Sequence, residues 1–361
     1  MTETGLAETM PPPGEDVVSA RPASILQPVP GNNAPDFLTI GHVTRDIHPE
    51  DVTCSINRHS TDKSITSPPE RVLYSLGGTV TFAALTASRL GLKVAIVTCA
   101  DTQLLAELPS HLPGIGLAVR PSPATTTFVN SYHEGFRTQY LRARADPLQF
   151  GDIPETWLSA PIVLLGPVAQ EIPSEFPGRL ADKSAVGGEG IDTRSAEAPT
   201  NHRSGTILAA TPQGWLRRWD ADGRIWPTPW DRAEEMLPLL DVLILSHDDL
   251  LPFAADNRGE ADAILADWSH KVPLLVATDG RHGATLFQDG ATERFPAYSA
   301  NEVDPTGAGD VFAAAFLVHL YRHGDPGEAV DFANCVAACS IEYVGTEGIP
   351  TLEVVRERMK K

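Results

Sequence analysis

Asp304-Pro305-Thr306-Gly307-Ala308-Gly309-Asp310 runs straight into Val311-Phe312-Ala313-Ala314-Ala315-Phe316-Leu317. The first seven residues predict a tight turn and the next seven a buried helix. Gly307 and Gly309 let the backbone turn sharply and approach a ligand closely. The first-turn amides of the helix have no intrahelical acceptor and lie at the positive end of its dipole, which suits an anion such as phosphate. Asp310 stands beside that position. A carboxylate there could take the proton of a hydroxyl attacking phosphorus. For Gly-Ala-Gly-Asp alone an ordinary loop followed by a first-turn acid is an equal reading. Two further stretches carry suitable residues. Gly77 and Gly78 would let a ligand reach the backbone just before a helical pattern over 82–90, closed by Gly91. Ser246 and Asp249, three residues apart, read as a helix-capping pair.

Elements to position these residues can be read from the apolar runs. Residues 36–42, 93–98, 161–165, 207–210, 241–245 and 273–277 read as buried strands. With helical patterns between them, they predict an α/β fold: a doubly wound, mostly parallel sheet flanked by helices. Residues 125–132 and 137–141 read as a hairpin around Glu134-Gly135. Two helical patterns, 311–322 and 326–343, close the chain. Residues 1–35, rich in Pro, Glu, Ala and Gly, read as a disordered leader to one domain over 36–361, and about 173–205 as a flexible insertion. Arg217 and Arg218 follow the 207–210 strand; solvated arginines beside packed tryptophans are favoured over phosphate contacts.

Composition excludes several classes. With a formal net charge of −19 over 361 residues, the chain is a poor partner for nucleic acid or anionic membrane. No apolar run approaches the roughly 18 residues of a membrane span. The four cysteines, Cys54, Cys99, Cys335 and Cys339, form no CxxC pair, and no secretory pattern precedes them. A reducing, cytoplasmic location is expected. Cys335 and Cys339 read as buried small residues rather than metal ligands.

The seven residues 304–310 resemble the C-terminal signature of the PfkB carbohydrate kinases, in the ribokinase-like superfamily. That resemblance implies a ribokinase-like fold with a small β lid from about 45–75 and 125–142. It implies Asp310 as catalytic base and Gly307, Ala308 and Gly309 as an anion hole. Asp46, after the first strand, matches the family's acid that holds substrate hydroxyls, with Gly77 and Gly78 beside it. The family places Asn four residues after the second of these glycines; Phe82 stands there, a variant similar to plant myo-inositol kinases. Ser246 and Asp249 match an Asn-x-x-Glu pair, with Asp249 towards Mg²⁺. Thr278-Asp279-Gly280-Arg281-His282-Gly283-Ala284 resembles the nucleotide loop, implying ATP contacts from Thr278, Gly280 and Gly283, with Asn334 near adenine. In relatives a monovalent cation can sit beside the signature, near Asp304 and Thr306.

The expected activity is therefore transfer of the γ-phosphate of ATP to an alcohol of a small sugar or cyclitol, with Mg²⁺. A nucleoside acceptor, and a non-catalytic nucleotide- or sugar-binding regulator on the same fold, stand as alternatives. A dehydrogenase is disfavoured, since no Gly-x-Gly-x-x-Gly opens the first β–α unit. A homodimer through the lid is left open.

Overall fold

All four residues of Phe37–Ile40 are buried, and their side chains divide between two cores. Phe37 joins one apolar cluster, while Leu38 and Ile40 join another. Successive strand residues point to opposite faces, so such a strand needs cover on both. The computed structural model describes residues 24–31, 34–47, 74–133, 136–186, 205–250 and 258–360.

The main sheet has ten strands, in the order β1 (Ile25–Gln27), β6 (Gly116–Pro121), β5 (Val94–Ala100), β2 (Phe37–Ile40), β9 (Ile162–Leu165), β10 (Ile207–Ala210), β13 (Val242–Ser246), β14 (Leu274–Thr278), β15 (Ala284–Gln288) and β16 (Ala291–Phe295). Pairing is parallel from β6 to β14, and antiparallel at β1 and at the β15–β16 edge. From β2 the chain winds outward to β5 and β6, then crosses to β9 on the other side. The strand order therefore reverses between β2 and β9, and ligands of open α/β sheets bind at the carboxyl ends beside such a reversal.

One face is covered by α1 (Thr79–Arg89), α2 (Thr102–His111), α6 (Ala308–His323), α7 (Pro326–Ser340) and α8 (Leu352–Arg358). The other carries α3 (Phe176–Val186), α4 (Ala233–Met236) and α5 (Arg258–Ser269). Helix α6 is buried without interruption from Val311 to Val318, as expected for a helix packed on several sides. Phe316 and Leu317 alone, fully buried, contribute about 1.5–3 kcal/mol each.

A second sheet of four strands has the order β4 (Ser75–Gly77), β3 (Thr44–Ile47), β7 (Thr127–His133) and β8 (Phe136–Ala143). It is the small lid. A two-stranded hairpin, β11 (Arg217–Trp219) and β12 (Ile225–Pro227), lies against it.

Two boundaries differ from expectation. Residues 25–27, read as leader, pair antiparallel with 117–119 at the sheet edge, and Val29 is buried. Residues 176–186, read as part of the insertion, form α3, which is anchored by buried Phe176 and Leu180. The rest of the insertion over 187–204, the lid residues 48–73, and Cys54 lie outside the described residues. The three described cysteines are buried and unpaired.

Candidate active site

The carboxyl ends of β2, β9, β10, β13 and β14 point to one rim, and Asp310 lies on it at the start of α6. The turn before it is held from both sides. Asp304 accepts hydrogen bonds from the amides of Thr306 (3.0 Å) and Gly345 (2.8 Å). The amides of Val303 and Asp304 donate to the Ile341 carbonyl at the end of α7. Gly307 then takes a left-handed φ of 77° as the N-cap of α6.

That turn leaves particular amides available. Ala308 N–H donates to Pro305 O (3.2 Å), and Val311 N–H to Gly307 O. The amides of Gly307, Gly309 and Asp310 have no protein acceptor among the described residues. Of the three anion-hole residues expected, Gly307 and Gly309 keep open amides, Ala308 does not, and Asp310 adds its own. Space around Gly309 is open, whereas a Cβ on Gly307 would overlap the ring of Phe82. Phe82 is buried beneath the turn. It supports the signature from below, so the departure from Asn replaces a polar group by packing.

Gly307→Ala combines that overlap with a left-handed backbone and is expected to cost about 1–3 kcal/mol of stability. Gly309→Ala has neither problem. Its melting temperature should equal or exceed that of the wild type, because alanine is the better helix residue. Thermal unfolding of the two variants checks the contrast.

The electrostatics of Asp310 follow from its surroundings. Burial pushes its carboxyl up to about 6. The facing Thr79 hydroxyl and Arg217 act to lower it, and Asp249 and Asp46 to raise it. The Thr79 hydroxyl, at the first turn of α1, makes no well-formed hydrogen bond. The structure thus brings Asp46, Thr79, Arg217, Asp249 and Asp310 within electrostatic reach of one point.

Asp46 accepts from the Thr44 hydroxyl (3.0 Å), and its carboxylate lies against the Cα of Gly77, leaving no room for a side chain there. Gly78 has a φ of 88°, and a Cβ would strike the His42 carbonyl. The three acceptor-site residues expected from sequence are therefore adjacent.

Their neighbours His42 and Arg45 have structural roles. Burial holds His42 below its ordinary value. Its Nε2 lies 3.1 Å from the Asp146 carbonyl, and its Nδ1 2.7 Å from the Thr126 hydroxyl. A carbonyl only accepts, so Nε2 carries the proton and Nδ1 accepts. Arg45 forms a bidentate pair with Asp101 at 2.5 and 3.0 Å. Burial acts to raise the Asp101 carboxyl, but Arg45 and the Leu104 amide hold it low.

Ser246 and Asp249 cap one another reciprocally: the Ser246 amide donates to Asp249 (3.1 Å), and Asp248 N–H to the Ser246 hydroxyl (3.2 Å). Burial raises the Asp249 carboxyl, and Arg217 opposes the rise. Among the described residues no three His, Cys, Asp or Glu side chains converge as a metal cluster. The single carboxylate of Asp249 still fits Mg²⁺, which takes one or two carboxylates and completes its shell with phosphate oxygens and water.

The expected nucleotide residues lie further along the rim. Thr278 pairs in register with Ser246. Gly280 and Gly283 have φ of 50° and 91°; space around Gly280 is open, while Gly283 is pressed against the Phe295 carbonyl. Asn334 donates its side-chain amide to the Pro296 carbonyl (3.2 Å). It ties α7 to the strand end beside Gly283, so that donor is occupied by the protein.

Arg217 is the residue whose position the sequence reading undervalued. Sequence favours a solvated arginine at 217, yet the residue is half-buried and its charge acts on both Asp249 and Asp310.

Residues 220–352 match the family described as pfkB family carbohydrate kinase. The match takes in the signature turn and the two helices that follow it. Similar proteins include fructokinase-2 of Oryza sativa subsp. japonica, 28% identical over 168 residues, covering 43% of this chain and 50% of that protein. Another is inositol 3-kinase of Zea mays, 25% identical over 200 residues, covering 52% of this chain and 48% of that protein. The chain thus spans about half the length of these curated relatives.

Two solved structures share the fold. A ribokinase of Arabidopsis thaliana complexed with ribose and ATP superposes with a TM-score of 0.66 at 20% identity, over 91% of this chain and 99% of that one. A pyrophosphate-dependent kinase in the ribokinase family, complexed with a pyrophosphate analogue and myo-inositol, gives 0.65 at 21% identity, over 86% and 98%. The PfkB match ends just beyond the 345–348 turn that bonds Asp304, so it contains the whole signature.

Proposed function

We propose that this protein is a PfkB-family, ATP-dependent kinase that transfers the γ-phosphate to an alcohol of a small sugar or cyclitol. The observation that carries the reading is Asp310: a carboxyl at the start of α6, raised to about 6 and within the field of Arg217, beside open helix-start amides. A general base works best with a pKa near the working pH, and few structural acids meet that condition. The named activities of the relatives support the same reaction class.

In this reading the acceptor hydroxyl lies between Asp46 and Asp310, over Gly77 and Gly78. Asp310 takes its proton as the oxygen bonds to the γ-phosphorus, the bridging P–O bond breaks, and ADP leaves. The amides of Gly307, Gly309 and Asp310 and the guanidinium of Arg217 stabilise charge on the transferring group. Asp249 would hold Mg²⁺, which, when bound, neutralises phosphate oxygens. Gly280 and Gly283 shape the nucleotide side.

The test is ADP formation from ATP and Mg²⁺ across sugars, cyclitols and nucleosides, with pyrophosphate as a parallel donor. One sugar or cyclitol giving turnover that Asp310→Asn abolishes is the expected result. A nucleoside as the sole acceptor, or turnover from pyrophosphate alone, would replace the acceptor or donor named above. ATP binding with silence across the whole panel would favour a binding protein.

A further inference from the structure

Arg217 begins a hairpin too short to stand alone. Each strand has three residues, and an isolated two-stranded ribbon is marginal in water. What the hairpin packs on therefore decides where Arg217 points.

It packs on the lid. The Leu141 amide of β8 donates to the Gly223 carbonyl at the hairpin turn (2.8 Å). Tyr140 and Arg224 form an antiparallel bridge, and Arg142 donates to the Asp222 carbonyl (2.9 Å). Gly223, at φ 84°, lies so close to the Leu141 carbonyl that a Cβ would not fit. Trp219 and Ile225 join a small apolar cluster with the lid residues Phe128 and Leu141 and with Val168 and Ala169 behind β9.

The same contacts lead back to Arg217. Trp219 lies two residues on, and strand residues two apart project from the same face. The guanidinium of Arg144, at the foot of β8, sits 5.4 Å over the Trp219 ring and donates to the carbonyls of Ala169 and Gln170 (2.8 Å each). Gln170 has a left-handed φ of 55°, uncommon for a residue with a side chain. Its side-chain amide donates to the Arg217 carbonyl at 2.5 Å. A strained residue thus hands the lid's position to the backbone of Arg217.

We propose that docking of the lid on the hairpin sets the reach of Arg217 into the phosphoryl site, with Trp219 and Gln170 as positioning residues. This rests on the reading of Arg217 as a phosphoryl ligand. It assigns the lid a role on the phosphoryl side as well as over the acceptor.

The experiment is a double-mutant cycle read by calorimetric titration of the full chain with inorganic pyrophosphate, which needs no acceptor. Arg217→Gln is expected to weaken binding about tenfold or more, as loss of one charged contact does. Trp219→Leu and Gln170→Gly should each weaken it severalfold, and Trp219→Phe, which keeps a ring under Arg144, should recover most of the loss. In the Arg217→Gln background, Trp219→Leu should have almost no further effect, since coupled residues are not additive. Equal effects of Trp219→Leu in both backgrounds, with the variant's melting transition intact, would overturn the coupling. Pyrophosphate binding indifferent to Arg217→Gln would instead overturn the phosphoryl-site reading beneath it.

Discussion

Asp310→Asn is expected to lower turnover by about 10²–10⁴-fold, the usual contribution of a positioned general base, while leaving ATP binding largely intact. The asparagine keeps the shape and loses only the ability to take a proton. The wild-type rate should rise with pH through about 6, where the Asp310 carboxyl ionises, and then level. A variant with near-normal turnover, or a wild-type profile flat from pH 5 to 8, would remove Asp310 from the base role.

The same group makes a stability prediction of opposite sense. A carboxyl raised above its unfolded value of about 3.9 binds more protons folded than unfolded between that value and about 6. Its contribution to stability therefore falls as pH rises across that window, and the cost persists above it. Asp310→Asn removes the cost. Its upper limit is about 3 kcal/mol at 1.36 kcal/mol per unit, reduced because the residue as a whole is only half-buried. The inactive variant should melt higher than the wild type at pH 8, with the gap closing towards pH 4. Unfolding curves at both pH values check it, and a variant less stable at pH 8 contradicts the burial of the charge. Loss of activity together with a gain in stability would mark Asp310 as a residue kept for chemistry.

Which parts of this arrangement the sequence displayed follows from where their energy comes from. Buried strands such as 37–40 and 242–246 are apolar along their length because both faces of the sheet are covered. The signature turn was legible because Gly307 needs φ above zero and Gly309 faces open space, and few other residues meet both conditions. Asp46, Gly77 and Gly78 come together because β3 pairs with β4, a juxtaposition that only the family resemblance implied. Strand β1 was hidden within a Pro-rich segment, since three residues become a strand only by pairing with an edge formed ninety residues later. Helix α3 was masked by Pro177, Gly178 and polar neighbours, although Phe176 and Leu180, spaced i,i+4, supply its buried face. Ala308 and Asn334 show the limit of motif matching. Both sit at matching positions, but one amide turns inward to Pro305 and the other binds the Pro296 carbonyl, details set by local backbone geometry. Arg217 was harder still, since its direction depends on a ribbon held by the lid.

Arg217→Gln is expected to reduce kcat/KM by about 10²–10³-fold, the range for removing one donor aimed at developing charge. Electrostatics adds a readout that a merely structural arginine would not give. Arg217 lowers the carboxyls of both Asp249 and Asp310. Without its charge both groups should ionise at higher pH, so the acid limb of the residual rate should move above its wild-type position. Arg217→Lys separates charge from shape. The ammonium restores the charge, so the limb should return towards about 6, the wild-type value for Asp310. It cannot offer the planar fork of donors that suits a phosphoryl group, so much of the rate should stay lost. A limb that does not move in Arg217→Gln would place the guanidinium outside the field of the base. A limb that moves and returns with lysine, while the rate does not, would assign the arginine two separable tasks: its charge tunes the base, and its geometry holds the group being transferred.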